Sequence, residues 1–356
     1  MYSWLRPFLF KLDPETAHRV TLNALRRAHR SGLVPRFVSY FPSKPVCVMG
    51  LEFPNRIGLA AGLDKNGEYI DALAALGFGF LEVGTVTPRP QEGAPPPRLF
   101  RLPAATALIN RLGFNNAGVD QVIANLKASS YRGILGINIG KNADTPIARA
   151  ADDYCTCLEA VYPLASYVAI NVSSPNTKDL RRLQGAAALA PLLSRLNHLR
   201  DKLANESGRK LPLAIKIAPD LEQKSLREIA GAALDHRIDA VIATNTTLSR
   251  ESVTHLSGAM ERGGLSGLPL RSRSTAVIRA LANLLQGKIP IIGVGGIVRG
   301  ADALEKIEAG ASLIQLYTGL IYRGPDLISE CASAITRIHN SGGKNGCAQR
   351  QTLSED

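Results

Sequence analysis

The sequence predicts a (β/α)8 barrel with a short helical extension at its N-terminus. Three observations carry this expectation. Eight short apolar runs are spaced over residues 57–316, a stretch of helical character follows each, and polar, glycine-rich signatures recur where the runs end. The runs are largely continuous rather than alternating, as parallel strands buried on both faces should be. An open doubly wound sheet is the alternative, and eight strand–helix repeats favour the barrel. The expected bounds are 1–45 for the extension, 46–338 for the barrel and 339–356 for a polar tail read as disordered.

In chain order, Met1–Leu12 is apolar but interrupted by Arg6, Pro7 and Lys11, and no small-residue cleavage site follows it. It does not read as a signal peptide, so the protein is expected to stay in the compartment where it is made. No apolar run reaches the ~18 residues needed to span a bilayer. Asp13-Pro14-Glu15 then opens a helix: an N-cap, a proline at the first helical position and an acidic first turn. That helix should run to about Ser31 and stop at Gly32. Ala17, Val20, Leu22, Leu25 and Ala28 give it apolar surface, with Arg19, Arg26, Arg27 and Arg30 near its polar side. It is either packed on its own domain or a lid facing a membrane.

After the Pro-rich link Phe41–Pro45 come the eight expected strands: Ile57–Ala61, Phe80–Val83, Ile134–Ile139, Tyr167–Val172, Leu213–Ile217, Ala240–Ala243, Ile289–Val294 and Ser312–Leu316. Helical stretches between them include Tyr69–Leu76, Ala187–Ala204, Leu221–Leu234 and Ala301–Ala309.

The chain has 356 residues and a formal net charge of +12, which invites a nucleic-acid reading. Half of that excess sits in residues 1–45, which hold eight basic residues against two acidic ones. No nucleic-acid-binding motif accompanies it. A basic, apolar terminal element fits an anionic membrane surface better. Five cysteines (Cys47, Cys155, Cys157, Cys331, Cys347) lack framework spacing, and Cys155 and Cys157 diverge in an expected helix. They read as ordinary thiols in a reducing compartment, with no metal cluster.

The signatures at the strand ends are AAGLDKNG (60–67), GTVTPRPQ (84–91), INIGKN (137–142), INVSSPNT (170–177), IKIAPD (215–220), ATNTT (243–247), GVGG (293–296) and YTG (317–319). NRLGFNN (110–116) adds a loop between the second and third strands. Active sites of such barrels lie at this end of the strands, with phosphate bound after strands seven and eight. GVGG and YTG occupy that corner, where glycines admit an anion to backbone N–H groups and a helix N-terminus favours it. GVGG alone would be only a tight turn. No G-x-G-x-x-G fingerprint is present, so a mononucleotide such as FMN is preferred over NAD.

Lys216 lies inside an apolar run, where an unpaired ammonium is costly. It is either salt-bridged or turned to the barrel mouth to compensate an anion such as reduced flavin. Lys65 reads similarly, toward a flavin or a substrate carboxylate. Asn110, Asn171, Asn176 and Asn245 offer both donors and acceptors, which suits a cyclic ureide; singly, each would be a turn or cap residue. His198, His236 and His255 fall in helical or loop stretches, so a Ser-His-Asp hydrolase is disfavoured. The residues alone leave Ser173-Ser174-Pro175 as a turn or a catalytic element.

AAGLDKNG, EVGTVTPRPQ, INRLGFNNAGVD, LGINIGKN, INVSSPNT, VIATNTT, GGLSG and IIGVGGI together resemble the quinone-dependent (class 2) dihydroorotate dehydrogenases, as does MGLEF before the barrel. The resemblance covers residues 1–338, and LDPETAHR matches the extension that separates this class from the soluble ones. It implies that Ala61, Gly62, Leu63, Asp64, Lys65, Thr85, Asn138, Asn171, Lys216, Thr244, Gly267, Gly296, Tyr317 and Thr318 hold FMN. Dihydroorotate would be bound by Lys65, Asn110, Arg111, Leu112, Gly113, Phe114, Asn171, Asn176, Asn245 and Thr246. Ser174 would take the C5 proton, relayed through water and Thr177, while C6 gives hydride to the flavin. His18 and Arg101 would lie near the path of a membrane quinone. The resemblance further implies a monomer, peripheral on the cytoplasmic face of a bacterial inner membrane. Thr318 stands where relatives often carry serine, which keeps the hydroxyl. The rival functions are another FMN barrel using NAD or fumarate, a non-redox phosphate-binding barrel, and a membrane-surface protein without catalysis.

Overall fold

The structure is a computed structural model that describes residues 2–34 and 44–339. Most of the link at 41–45 lies outside the described residues, as do Cys347 and the tail from 340 onward.

The chain opens with α1 (Tyr2–Leu9) and α2 (Pro14–Arg30). α1 contains Pro7, and the sequence reading treated this stretch only as interrupted apolar chain. Tertiary contacts hold it: the Tyr2 hydroxyl donates to Ile321 O at 2.5 Å, Arg6 donates to Tyr322 O at 2.8 Å, and Phe10 lies edge-on to Tyr322 at 5.2 Å. α2 is the expected helix, with the Asp13 carboxylate accepting from Thr16 N at 2.9 Å and Ser31 at the C-cap. Ala17 and Leu22 are buried, while Val20, expected on the apolar side, is exposed.

A small antiparallel hairpin follows, β1 (Val46–Val48) with β2 (Leu51–Phe53). Then β3 (Ile57–Leu59), α3 (Ile70–Ala74) and β4 (Phe80–Val86) begin the barrel. The long connection after β4 carries β5 (Leu99–Leu102) and β6 (Ala107–Asn110), then α4 (Val119–Ala128). The barrel resumes with β7 (Ile134–Ile139), α5 (Ala150–Val161), β8 (Tyr167–Asn171), α6 (Ala186–Ser207), β9 (Leu213–Ile217), α7 (Gln223–Asp235) and β10 (Ala240–Ala243). After β11 (Gly264–Gly267) and α8 (Arg271–Leu285), β12 (Ile291–Val294), α9 (Gly300–Glu308), β13 (Leu313–Leu316), α10 (Thr318–Arg323) and α11 (Asp326–His339) complete the chain.

The eight expected runs are the eight parallel strands of a closed barrel, in the order β3-β4-β7-β8-β9-β10-β12-β13 and back to β3. Their continuous apolar character is explained by helices outside and side chains inside: every residue of β8, β9 and β10 is buried. Inside, Phe80, Tyr167, Ala169, Ala214, Ile242 and Leu313 form a core that also takes in Val48 and Phe53 of the hairpin. The hairpin therefore plugs the end of the barrel remote from the site, with Phe53 edge-on to Phe80 at 5.1 Å. β5, β6 and β11 form a separate antiparallel sheet, joining the loop after β4 to the loop after β10.

Candidate active site

The C-terminal ends of the barrel strands surround a cavity with about 980 Å³ of empty space, part of it open to solvent. Its lining takes in most of the expected residues. Ala61, Gly62, Lys65, Thr85, Asn171, Lys216, Thr244, Gly267, Gly296, Tyr317 and Thr318 are there, as are Asn110, Leu112, Gly113, Phe114, Asn176, Asn245, Thr246 and Ser174. Four of the expected flavin and substrate contacts are not, nor is Thr177. Leu63 faces a second cavity. The Asp64 carboxylate accepts from Glu68 N and Tyr69 N at 3.0 and 2.7 Å and ties its own loop, although burial still raises it to about 6. The Arg111 side chain turns outward to Glu261 at 2.6 Å. Asn138, wholly buried, stands behind Thr85 and Asn171.

At one end the GVGG turn, Gly267 and Thr318 converge, and the Thr318 hydroxyl donates to Ser266 Oγ at 2.8 Å. Gly296 has φ +76, and a Cβ there would stand 2.3 Å from Arg271 Cα, so only glycine brings this turn against the start of α8. The helix contribution expected at this corner is narrower than the sequence suggested. Asp302 already accepts from Val298 N and Arg299 N at the head of α9, and α10 has only six residues. An anion here would rely on loop backbone and hydroxyls.

At the other end are the asparagines and Ser174. Asn176 Nδ2 donates to Asn110 Oδ1 at 3.1 Å, and Asn176 N donates to Ser174 Oγ at 3.2 Å. The Thr177 and Thr246 hydroxyls are buried and have no hydrogen-bond partner in the protein. Thr246 lines the cavity and Thr177 does not, and an orphaned buried hydroxyl in a polar pocket is what a ligand or ordered solvent would satisfy. Lys65 is packed densely enough that burial lowers its ammonium to about 8, opposed by Glu15. A glycine-and-hydroxyl corner joined to amides and ammoniums fits a flavin with a small polar ring beside it.

Asn245 Nδ2 donates to Ser173 Oγ at 2.9 Å, Ser173 Oγ to Asn171 Oδ1 at 2.9 Å, and Asn171 Nδ2 to Asn138 Oδ1 at 3.1 Å. Asn138 Nδ2 then donates to Glu82 Oε1 at 2.8 Å. Lys216 answers both of its readings: it lines the cavity and lies 3.6 Å from Glu82. Sequence reasoning missed Glu82 and Gln315, and it named Ser173 only as part of the Ser173-Ser174-Pro175 element. For Glu82 the signal existed, a charge inside an apolar run just like Lys216. It also missed Arg181, which donates to Ser173 O, Asp220 Oδ2 and Thr246 O at 3.0, 2.9 and 2.8 Å and so ties three loops around Ser174.

The second cavity, about 2010 Å³ of mostly apolar empty space partly open to solvent, lies between α1, α2 and the barrel. His18 and Arg101 both line it, and Tyr317 borders both cavities. Burial and the charge of Lys65 lower His18 to about 4. Arg101 donates to Leu12 O at 2.8 Å and lies 4.7 Å over the Phe10 ring. Trp4 and Phe8 stand on the outer side, 81% and 69% exposed. No helix among the described residues is long and apolar enough to cross a membrane.

A family model described as dihydroorotate dehydrogenase matches residues 45–338. Dihydroorotate dehydrogenase (quinone) of Ralstonia nicotianae is 61% identical over 95% of this chain and 99% of its own length. The Nitrosomonas europaea protein of the same name is 61% identical over 94% of this chain and 97% of its own. Ligand-free dihydroorotate dehydrogenase from Eimeria tenella superposes with a TM-score of 0.83 at 38% identity, covering 92% of this chain and 96% of that one. The family model spans most of the chain and the relatives match nearly all of it, and the chain belongs to the dihydroorotate dehydrogenase family.

Proposed function

We propose that this protein oxidises dihydroorotate to orotate in pyrimidine biosynthesis, with a flavin as immediate acceptor and a quinone as final acceptor. The observation that carries the reading is one cavity uniting a glycine-and-hydroxyl corner, Lys216, Lys65 and an asparagine set around Ser174, in a chain of this family. The family implies a flavin, and the finer assignment is FMN, because the corner suits one phosphate and no dinucleotide fingerprint is present.

When bound, the flavin supplies the acceptor for the hydride leaving C6 and passes the electrons onward. Thr244, Gly267, Gly296, Tyr317 and Thr318, with Ala61, Gly62, Thr85, Asn171 and Lys216, would hold it in the cavity they line. Leu63, Asp64 and Asn138 support it from behind the cavity wall. Lys65 pairs with the substrate carboxylate, while Asn110, Asn171, Asn176, Asn245 and Thr246 meet the alternating N–H and C=O groups of its ring. The segment 111–114 closes over it, Arg111 through its backbone. Ser174 takes the proton from C5, and the orphaned Thr177 hydroxyl relays it toward solvent. Dihydroorotate thus loses one proton and one hydride and becomes orotate.

The apolar cavity bordered by Tyr317 is the quinone's approach, with His18 and Arg101 along it. The exposed Trp4 and Phe8 and the basic residues of the extension suit attachment to an anionic membrane surface. The finer reading is a monomer, peripheral on the cytoplasmic face of a bacterial inner membrane.

The direct test is the cofactor released by acid from the purified protein. One FMN per chain is expected; FAD, NAD or a colourless protein would reject the assignment.

A further inference from the structure

Five barrel strands meet around one buried carboxylate. Glu82, on β4, has no exposed surface. It accepts from Asn138 Nδ2 at 2.8 Å, the Tyr167 hydroxyl at 2.9 Å and Gln315 Nε2 at 2.7 Å, with the Lys216 ammonium 3.6 Å away. Three donors and a cation are what a buried anion needs to be tolerated. Burial and the neighbouring Glu82 push the Tyr167 phenol well above its ordinary range, so it stays a donor.

The position of this cluster gives it a role. Below it lies the apolar plug of Phe80, Phe53 and Val48. Above it, Lys216 and Gln315 reach the cavity wall, whereas Glu82 and Tyr167 do not. Glu82 therefore acts on a ligand only through others. It directs the Asn138 amide so that Oδ1 faces Asn171, which orients the amide chain running to Asn245. It also anchors the one ammonium that enters the cavity from a barrel strand.

We propose that Glu82 is a positioning residue that holds Lys216 by pairing with its ammonium and, by offsetting part of that charge, sets the reduction potential of the flavin. This rests on the functional reading above, in which Lys216 faces the flavin ring. Two-electron reduction with uptake of one proton leaves a flavin ring with an added negative charge. Lys216 favours that charge, and its pairing with the Glu82 carboxylate at 3.6 Å offsets part of the ammonium's charge. Removing the carboxylate charge leaves the ammonium uncompensated and favours the reduced form.

The test compares flavin-loaded parent and Glu82→Gln proteins, equilibrated anaerobically with reference dyes. The reduction equilibrium of E82Q should shift at least tenfold toward the reduced form, about 30 mV for a two-electron couple. In a Lys216→Met background the same substitution should lose most of its effect. An unchanged potential in loaded E82Q, or an equal shift without Lys216, would overturn the proposal. Should E82Q fail to fold, Tyr167→Phe serves. It removes one donor from the carboxylate and should shift the equilibrium a few-fold the other way, and no shift would be equally fatal. Protein that folds but carries no flavin would instead defeat the functional reading.

Discussion

Ser174 is a weak base in isolation, and no histidine lines its cavity among the described residues. Its competence depends on what surrounds it: the Asn176 N–H at 3.2 Å and the Thr177 hydroxyl that lacks a protein partner. Ser174→Ala should leave flavin content intact and slow flavin reduction by dihydroorotate by ~10²–10⁴-fold at neutral pH. Stopped-flow bleaching within a few-fold of the parent would remove Ser174 from the role. Lys65 makes a separate prediction. Burial lowers it from its ordinary 10.5 to about 8, so it carries its charge below that pH and loses it above. Affinity for orotate, followed by the flavin spectrum, should be full below about pH 8 and fall as pH rises through it. In Lys65→Met the affinity should be weak throughout and show no such break; a parent affinity that stays level above about pH 8 would contradict the pairing. His18, held neutral by burial to about 4, should give the oxidative half-reaction no protonation break between about pH 5 and pH 8. At this scale the sequence exposed residues that touch the cavity, because polar groups at strand ends are conspicuous. It did not disclose the partners of Glu82, which come from β7, β8, β9 and β13.

The elements carry the site through two devices, tight glycine turns and an added helical roof. A Cβ at position 296 would meet the Arg271 backbone at 2.3 Å, so Gly296→Ala should fold with a displaced GVGG turn and purify with much less flavin. Full flavin content in that variant would show that the turn has room to spare. In the roof, α1 keeps Trp4 and Phe8 outward while Tyr2 and Arg6 bind α10. Replacing Trp4 and Phe8 with serine should reduce flotation with anionic liposomes and leave flavin reduction by dihydroorotate unchanged. Binding should also weaken with salt, since each basic residue near such a surface contributes about 1 kcal/mol. The eight barrel strands and α2 were legible because their burial and caps are written in local pattern. The hairpin at 46–53 and the sheet of β5, β6 and β11 were not. β1 and β2 bury one residue each, so no continuous apolar run marks them, and β11 pairs with β6 across more than half the barrel. α1 escaped notice because Pro7 opposes a helix locally and contacts with α10 supply what it lacks.

The whole molecule sets two cavities side by side, with Tyr317 bordering both. The hairpin plug closes one end of the barrel, loops and the β5-β6-β11 sheet surround the cavity at the other, and the extension encloses a second, apolar cavity that shares Tyr317 with the first. Under the proposed function, a polar substrate would reach the flavin from the first cavity and an apolar oxidant from the second. This arrangement predicts two separable half-reactions, and measuring them on one anaerobic sample tests the account most directly. Dihydroorotate alone should bleach the visible flavin absorbance, a short-chain quinone should restore it, and NAD or fumarate should not. His18→Ala and Arg101→Ala should slow the second step and leave the first nearly unchanged. A flavin that dihydroorotate does not reduce, or that NAD or fumarate reoxidises as fast as quinone does, would contradict the account.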